Sequence, residues 1–231
     1  MKKFTIIIPT KNEESNIDEL VFKLEKQYKK FNIVFVDNST DNTILKIKKQ
    51  QEKYKNIYFY KYENPGLTGA VIYAILKCKT DFCVIDADMQ HDITKIDLIY
   101  KEIRKYNFDI VIGNRNRYNK IWHRNLISII TNLVARQILI LTQATPDTKL
   151  TTDLMSGFFG MKYNLFLKIY KKNEKRFVKE GIKILFDILK CIKRKDKIKI
   201  YNFYYDFKER ENGKSKSSIK SFYCLLKSFL K

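Results

Sequence analysis

The chain has 231 residues, and its 46 Lys and Arg against 25 Asp and Glu give a formal net charge of +21. This length can bury one sizeable core, and three Pro and seven Gly leave no Gly- or Pro-rich linker between domains. The basic excess favours a polyanionic partner: a nucleotide diphosphate, a lipid phosphate, an anionic membrane or a nucleic acid. Four Cys without a C-x-x-C pair, and only two His, argue against a zinc site or a disulfide framework.

No stretch of the sequence is typical of export or of membrane spanning. The apolar run that follows Lys3 is too short for the hydrophobic region of a signal peptide. Residues 126–141, interrupted by Asn132, Arg136 and Gln137, fall short of the roughly 18–20 apolar residues that span a bilayer. We therefore expect a cytoplasmic protein, peripheral on the cytosolic face of a membrane.

The first half of the chain alternates between strands and helices. Apolar runs predict buried strands at residues 4–8, 33–36, 57–60, 82–85 and 110–112, with amphipathic helices between them. Apolar strands joined by helical crossovers imply an α/β fold with a mostly parallel sheet that helices cover on both faces. Ligands of such sheets bind beyond the carboxyl ends of the strands.

The second half is less regular. Its patterns predict a helix at 122–141, a strand at 157–161, a helix at 181–192 and a strand at 198–207. Residues 217–231 have apolar side chains at helical spacing, with Lys on the other side. We therefore expect one domain over residues 1–216, followed by an amphipathic C-terminal helix over residues 217–231.

The most informative stretch is Val84 to Gln90, where an apolar strand ends in two carboxylates one residue apart. Because side chains alternate along an extended strand, Asp86, Asp88 and Gln90 can all leave the strand end on one side. Their oxygens suit Mg²⁺ or Mn²⁺ bound together with a diphosphate. The alternative is that the two Asp side chains cap the next helix.

Polar side chains also follow the first two strands. We expect Asn12 or Ser15 to cap the helix after the first strand, and Ser39 and Asp41 to cap the helix after the second. We expect Asp37, at the end of the second strand, to accept hydrogen bonds from a nucleobase or ribose. A second strand-end Asp-x-Asp on the same sheet favours this interpretation of Asp37.

Seven motifs in order resemble family-2 glycosyltransferases of the GT-A fold, and more closely their dolichol-phosphate mannosyltransferase and polyprenyl-phosphate glycosyltransferase branch. The motifs run from about Thr5 to Lys216: IIPTKNE at 7–13, VDNSTDNT at 36–43, NPGLTGA at 64–70, DADMQH at 86–91, DLMSGFF at 153–159, GIKILFDIL at 181–189 and FKERENGKSK at 207–216. The chain departs from the family pattern at Val36, Asn42 and Met89, and it lacks a Gly after the 181–189 motif. Val36 leaves one base-contacting carboxylate where the family often has two, so the donor nucleotide stays open.

The resemblance implies an inverting, metal-dependent transfer of a hexose from a nucleotide sugar to a polyprenyl phosphate. GDP-mannose is the first donor to expect and UDP-glucose the second. Metal ligands would be Asp86, Asp88 and Gln90, with Mg²⁺ or Mn²⁺ as the cofactor. Donor-binding roles are implied for Pro9, Thr10, Asn12, Glu13, Asp37, Gly66, Asp86, Ala87, Ser215 and Lys216.

The resemblance also assigns residues to catalysis and to the acceptor. Catalytic roles are implied for Asp88, Arg115, Arg124 and Arg210, with Arg117 as a rival to Arg115. Acceptor-binding roles are implied for Arg124, Asp153 and Ser156. A lipid phosphate is already anionic and needs no general base, and a lone His91 beside a metal motif is more often structural than catalytic.

Two alternatives remain at this point. A family-2 enzyme acting on a glycan or protein hydroxyl would need a base, for which Asp153 is the candidate. A nucleic-acid-binding protein is favoured only by charge, because no zinc finger, RNP or helix-turn-helix pattern is present, and we expect no nucleic-acid partner. The expected partners are a membrane surface, contacted by the amphipathic helices at 122–141 and 217–231, and a small membrane-anchoring subunit.

Overall fold

The computed structural model describes residues 4–116, 122–141, 153–208 and 219–230, and all their side chains except those of 122–130, 194, 219–222, 225 and 230. Within these ranges seven strands form one sheet in the order β3-β2-β1-β4-β6-β5-β7. Strand β6 is antiparallel to both of its neighbours and the other pairs are parallel. The strands are β1 Thr5–Thr10, β2 Asn32–Asp37, β3 Ile57–Lys61, β4 Phe82–Val84, β5 Ile110–Asn116, β6 Phe159–Met161 and β7 Ile200–Asp206.

Helices cover both faces of this sheet. They are α1 Glu14–Tyr28, α2 Thr43–Lys53, α3 Leu67–Cys78, α4 Ile96–Arg104, α5 Trp122–Leu141, α6 Tyr163–Asn173, α7 Ile184–Leu189 and α8 Ile219–Leu230. Short 3₁₀ turns lie at Ile93–Lys95, Glu174–Arg176 and Arg194–Asp196. No helix in the described part of the chain is long and apolar enough to span a lipid bilayer.

The core lies in two layers, one on each face of the sheet. Side chains alternate along β1, so Ile7 joins a buried cluster with residues of α3 and α7. Ile6 and Ile8 point the other way and join a cluster with residues of α1 and α4. Burial on both faces explains why β1 is apolar throughout its centre, and it confirms the predicted α/β fold with a mostly parallel sheet.

Strand β5 is longer than its sequence indicates. The apolar run predicts a strand that ends at Ile112, but β5 continues to Asn116 because β7 pairs with it from Gly113↔Phe203 to Asn116↔Asp206. Arg115 therefore lies within the strand and does not follow its end, which corrects the prediction. Pairing across about ninety positions of sequence supplies the backbone hydrogen bonds that the local pattern does not reveal.

Two helices also differ from the prediction. Helix α7 begins at Ile184 and not at residue 181, since the backbone carbonyls of Lys179 and Gly181 accept hydrogen bonds from the first turn of α3. Helix α6 was missed, although Phe166, Ile169 and Tyr170 are buried at helical spacing on one of its faces.

The C-terminal helix α8 packs on α7 through a buried polar cluster. Lys190 donates from Nζ to the Ser228 carbonyl at 2.8 Å and lies 2.6 Å from the Asp187 carboxylate, which also accepts the Ser228 hydroxyl. Phe229 packs edge-on against Phe186 at 5.2 Å. One face of α8 is thus held by the domain.

Candidate active site

The candidate site lies where parallel strands end. Thr10, the last residue of β1, is paired in register with Asp37, the last residue of β2. Strand β4 flanks β1 on its other side, and Asp86 follows its last residue, Val84, by two positions. Because all three strands run parallel, their polar carboxyl-terminal residues meet at one edge of the sheet, as the sequence predicts.

The turn from Asp86 to His91 is anchored at its middle and at its end. Met89 has a left-handed backbone (φ 62°), and its side chain is buried in the core layer that contains α1 and α4. The Gln90 side-chain amide donates to the Lys208 carbonyl at 2.9 Å, and the Lys208 N–H donates to the Gln90 carbonyl at 3.0 Å. These contacts explain how a non-glycine residue can hold a strained conformation there.

Asp86 keeps an open side while its other side is held. Its side chain is 36% exposed, and its Oδ2 lies 3.0 Å from Nε2 of His91. Gly157 makes room for it, because a Cβ at that position would lie 2.8 Å from Oδ2. Burial acts to raise the pKa of this carboxyl, but His91, Lys183 and Arg115 together hold it below its ordinary value.

The donor set of this turn fits a hard divalent cation. Asp86 offers a partly exposed carboxylate, Asp88 is buried and accepts the Gln90 N–H at Oδ1 at 3.2 Å, and the Gln90 amide turns its nitrogen to Lys208 and its oxygen away from it. Within the described ranges no three His, Cys, Asp or Glu side chains are grouped closely enough to hold a metal ion. Two carboxylates supplemented by phosphate oxygens and water are a common arrangement for Mg²⁺.

Asp37 is placed very differently. It is completely buried, and its carboxylate accepts hydrogen bonds from the Thr10 hydroxyl at 2.5 Å, the Ser39 hydroxyl at 2.6 Å and the Ser39 N–H at 2.7 Å. The carboxylate therefore holds the loop after β2 against the end of β1. Its role toward a nucleobase stays a prediction.

The neighbouring loop corrects two of the capping predictions. Asn12, in a left-handed conformation (φ 54°), precedes the cap position of α1 and accepts the Thr40 N–H at 2.9 Å, and Glu13 occupies the cap position without a side-chain bond to the helix N–H groups. Ser39 donates to Asp37 and caps no helix. Asp41 does accept an N–H from the start of α2, that of Thr43 at 3.0 Å, as predicted.

Arg115 and Asp153 form a two-pronged ion pair beside the turn. Arg115 donates from Nε to Oδ2 at 2.5 Å and from a terminal nitrogen to Oδ1 at 2.9 Å, and Asp153 is almost fully buried. Burial alone acts to lower the pKa of Arg115, but the Asp153 charge raises it. Asn114 accepts the Asp153 N–H at 3.0 Å, so β5 fixes both partners. Each oxygen of the Asp153 carboxylate thus accepts a hydrogen bond from Arg115.

Ser156 secures the strand ends. Its hydroxyl donates to the Gly113 carbonyl at 2.7 Å and accepts the Phe158 N–H at 3.1 Å. The side chain is buried between β5 and β6. The structure therefore gives Ser156 a backbone-bridging place, and its predicted contact with the acceptor stays a prediction.

Lys183 is the residue that sequence reasoning did not single out. Its Nζ donates to the Met155 carbonyl at 3.1 Å. Burial, reinforced by the Arg115 charge, lowers its pKa, whereas Asp153 and Asp86 act in the opposite direction. These couplings place a cation among the carboxylates of the site. The sequence feature that could have identified Lys183 is its place in the Gly-Ile-Lys start of the 181–189 motif.

The remaining predicted residues fall in three groups. Gly66 turns at φ 108° into α3 and faces the backbone of 179–180, where a Cβ would clash, and its donor-binding role stays a prediction. Pro9 and Ala87 are buried at their strand ends. The side chain of Arg124 on α5, and the whole of Arg117, Arg210, Ser215 and Lys216, lie outside the described residues.

The sequence matches the family model described as Glycosyl transferase family 2 over residues 5–170. The chain belongs to glycosyl transferase family 2. It is 31% identical over 223 residues to the dolichol-phosphate mannosyltransferase of Pyrococcus furiosus, a match that covers 93% of this chain and 59% of that protein. The chain thus spans somewhat over half of that relative's length.

Solved structures share the architecture of this family-2 chain. Mannosyl-3-phosphoglycerate synthase from Rubrobacter xylanophilus superposes with a TM-score of 0.66 at 16% identity, covering 98% of this chain and 72% of that one. Glucosyl-3-phosphoglycerate synthase from Mycobacterium tuberculosis, solved with Mn²⁺, UDP-glucose and phosphoglyceric acid, gives 0.64 at 16% identity, covering 99% and 80%. At such identities the likeness shows a shared fold, and it confirms the expected GT-A architecture.

Proposed function

We propose that this glycosyltransferase transfers a hexose, mannose first, from a nucleotide sugar to a polyprenyl phosphate with inversion. The observation that carries the proposal is the oxygen-rich turn of Asp86, Asp88 and Gln90 beside the cations Arg115 and Lys183. The likeness to a dolichol-phosphate mannosyltransferase over 93% of the chain supports the lipid acceptor and the mannose donor.

The donor side rests on the 86–91 turn. Asp86, Asp88 and Gln90 would hold Mg²⁺ or Mn²⁺ against the donor diphosphate, and the bound cation would offset charge on the departing nucleoside diphosphate. The low pKa of Asp86 keeps its carboxylate ionised at neutral pH. The Mn²⁺ and UDP-glucose bound by the mycobacterial neighbour make a UDP-sugar the second donor to test.

The acceptor side rests on two cations. Arg115 is directed by its pair with Asp153, and the Lys183 ammonium has three N–H donors, one of which binds the Met155 carbonyl. Two positively charged groups beside the metal turn suit a second anion, because a lipid phosphate must approach the donor diphosphate against charge repulsion. Such an acceptor needs positioning and no deprotonation.

A hydroxyl acceptor is the second candidate, since the solved neighbours are phosphoglycerate glycosyltransferases. That reaction needs a base, and the candidate from the sequence was Asp153. In the structure this carboxylate is buried and bound by two nitrogens of Arg115. A carboxylate so engaged is a poor proton acceptor, which favours the anionic lipid.

The exposed face of α5 supports a membrane-bound acceptor. Leu133, Val134, Ile140 and Leu141 all expose more than 40% of their surface, and Leu141 exposes 80%. On the buried face, Asn132 accepts the N–H of Leu154, the residue after Asp153, at 2.8 Å. An apolar surface tied this closely to the site would bring a lipid headgroup near Arg115.

The test is a transfer assay with purified protein, Mg²⁺ or Mn²⁺, a short polyprenyl phosphate and radiolabelled GDP-mannose or UDP-glucose, followed by organic extraction. We expect metal-dependent label in the organic phase from one of the two donors. The matched acceptor control is the same polyprenol without its phosphate, which should accept no sugar. Label on a soluble hydroxyl acceptor such as 3-phosphoglycerate, and none on the lipid phosphate, would overturn the proposal in favour of the second candidate.

A further inference from the structure

His91, the last residue of the turn that begins at Asp86, lies almost fully buried in an aromatic pocket. Its ring stacks on Tyr205 at 5.7 Å and meets Phe158 and Phe207 edge-on at 5.0 and 5.6 Å. Its Nε2 lies 3.0 Å from Oδ2 of Asp86, and its Nδ1 lies 3.4 Å from the Tyr205 hydroxyl. Packing on three sides fixes the plane of the ring, so the nitrogen that faces Asp86 is held in place.

The partners of the two ring nitrogens fix where the proton sits. An ionised carboxylate can only accept, so Nε2 must carry a hydrogen and donate it to Asp86. Nδ1, on the other side of the ring, lies within hydrogen-bond reach of the Tyr205 hydroxyl. Tyr205, His91 and Oδ2 of Asp86 therefore form one hydrogen-bonded chain.

We propose that His91 is a positioning residue that turns Asp86 toward the divalent cation, and that it takes no proton from the substrate. This role rests on the metal site of the proposed function, and His91 itself takes no part in the transfer reaction. One carboxylate oxygen is occupied by His91, so the other is left for the cation.

Gly157 also restricts the position of the Asp86 carboxylate. Gly157 leaves the space in which the carboxylate rests, and a side chain there would approach Oδ2 to 2.8 Å. His91 and Gly157 therefore confine the same oxygen from two sides. A carboxylate confined in this way loses little rotational freedom when it binds a cation, which raises metal affinity.

The experiment compares three substitutions of one residue. His91→Phe fills the aromatic pocket without a donor, His91→Gln carries an amide N–H at about the reach of Nε2, and His91→Asn carries one at about the reach of Nδ1. Mn²⁺ binding is measured by the loss of the free-ion electron paramagnetic resonance signal, with and without GDP or UDP. We expect about 10- to 100-fold weaker Mn²⁺ binding for His91→Phe and His91→Asn, and recovery of most of the affinity in His91→Gln.

The outcomes separate this inference from the proposed function. If the wild-type chain binds no Mn²⁺ with or without nucleotide, the metal site and the role of His91 both fall. If the wild type binds Mn²⁺ and His91→Phe binds it as tightly, only the role of His91 falls. Should His91→Phe unfold, the nearly equal-sized Gln and Asn variants still decide, because equal affinities in those two would overturn a role that depends on Nε2.

Discussion

Asp37 is the last residue of one strand that flanks β1, and Asp86 lies just beyond the other, yet their carboxylates differ in exposure and in hydrogen bonding. Asp37 is completely buried and accepts three hydrogen bonds from Thr10 and Ser39. Asp86 is 36% exposed, and the hydrogen bond from His91 occupies one of its oxygens. The same strand-end position thus yields one carboxylate used by the protein and one left for a ligand.

The difference comes from the loops that follow the strands. After β2 the chain turns back so that Ser39 meets the carboxylate it has just passed. After β4 the left-handed Met89 carries the chain away, and a glycine at position 157 keeps the space beside Asp86 free. An acidic residue at a strand end is therefore a sign of a ligand site only when the next residues do not satisfy it.

The largest expected effect tests the proposed metal-binding role of Asp88. Replacing Asp88 with Asn should lower kcat/KM by more than 100-fold, because a neutral amide is a much weaker ligand for a hard cation and the donor diphosphate loses its counter-charge. The measurement is the transfer assay with Mn²⁺ titrated across its range. Asp92→Asn is the control, since Asp92 accepts its hydrogen bonds from Thr94 in the 3₁₀ turn. Full activity in Asp88→Asn would contradict the metal role.

The second prediction concerns the cation beside the open carboxylate. Lys183→Met should lower kcat/KM by about 10- to 100-fold, since a charge-assisted hydrogen bond to phosphate is worth roughly 1.5–3 kcal/mol. Lys183→Arg should restore part of it. Lys179→Met is the matched control, because Lys179 is exposed and pairs with Glu174 at 2.8 Å.

Separate KM values sharpen the Lys183 test. A rise in KM for the lipid phosphate alone would assign Lys183 to the acceptor, and a rise for the nucleotide sugar alone would assign it to the donor. A fall in the melting temperature with both KM values unchanged would show instead that Lys183 serves the fold through the Met155 carbonyl.

The third prediction compares how much Asp37 and Asp86 contribute to the stability of the fold. Asp37→Asn should lower the free energy of unfolding by about 1–3 kcal/mol, because two hydroxyls lose a charged acceptor inside the protein. Asp86→Asn should cost less than about 1 kcal/mol, since that side chain is partly exposed and an amide oxygen can still accept from His91. Urea denaturation measures both free energies of unfolding, provided that their dependence on urea concentration is the same in the variants as in the wild type. A larger loss in Asp86→Asn than in Asp37→Asn would undo the contrast between the two carboxylates.

Much of this arrangement follows from local sequence. Apolar runs place the central strands, and Asp86, Asp88 and Gln90 follow one of them in a turn, where the expected alternation of side chains no longer applies. The part that local patterns do not reveal depends on distant partners. Gln90 and Lys208 meet across 118 positions, and β5 extends to Asn116 only because β7 pairs with it. No window of neighbouring residues carries that information.

The same reason explains why the two strand-end aspartates were given similar roles. Sequence shows an acidic residue after an apolar run in both places, whereas burial by Thr10 and access beside Gly157 arise from segments elsewhere in the chain. Lys183 was passed over because its helix is short and its site partners, Arg115 and Asp153, lie on other elements. Tertiary contacts decide which polar residue is free to act.

The smallest expected effect separates the parts of the closed pocket. Ser39→Ala removes one hydroxyl donor from Asp37 and the acceptor of the Asn12 N–H, an exposed bond that water can replace. It keeps the Ser39 backbone N–H, which binds the other oxygen of Asp37. We expect a loss of about 0.5–1.5 kcal/mol in the free energy of unfolding, the usual contribution of one hydrogen bond, and no change in Mn²⁺ affinity. Denaturation and Mn²⁺ titration on the same preparation give both values. Because Asp37 would keep its bonds to Thr10 and to the Ser39 backbone, weaker Mn²⁺ binding in Ser39→Ala would mean that the two carboxylates act together after all.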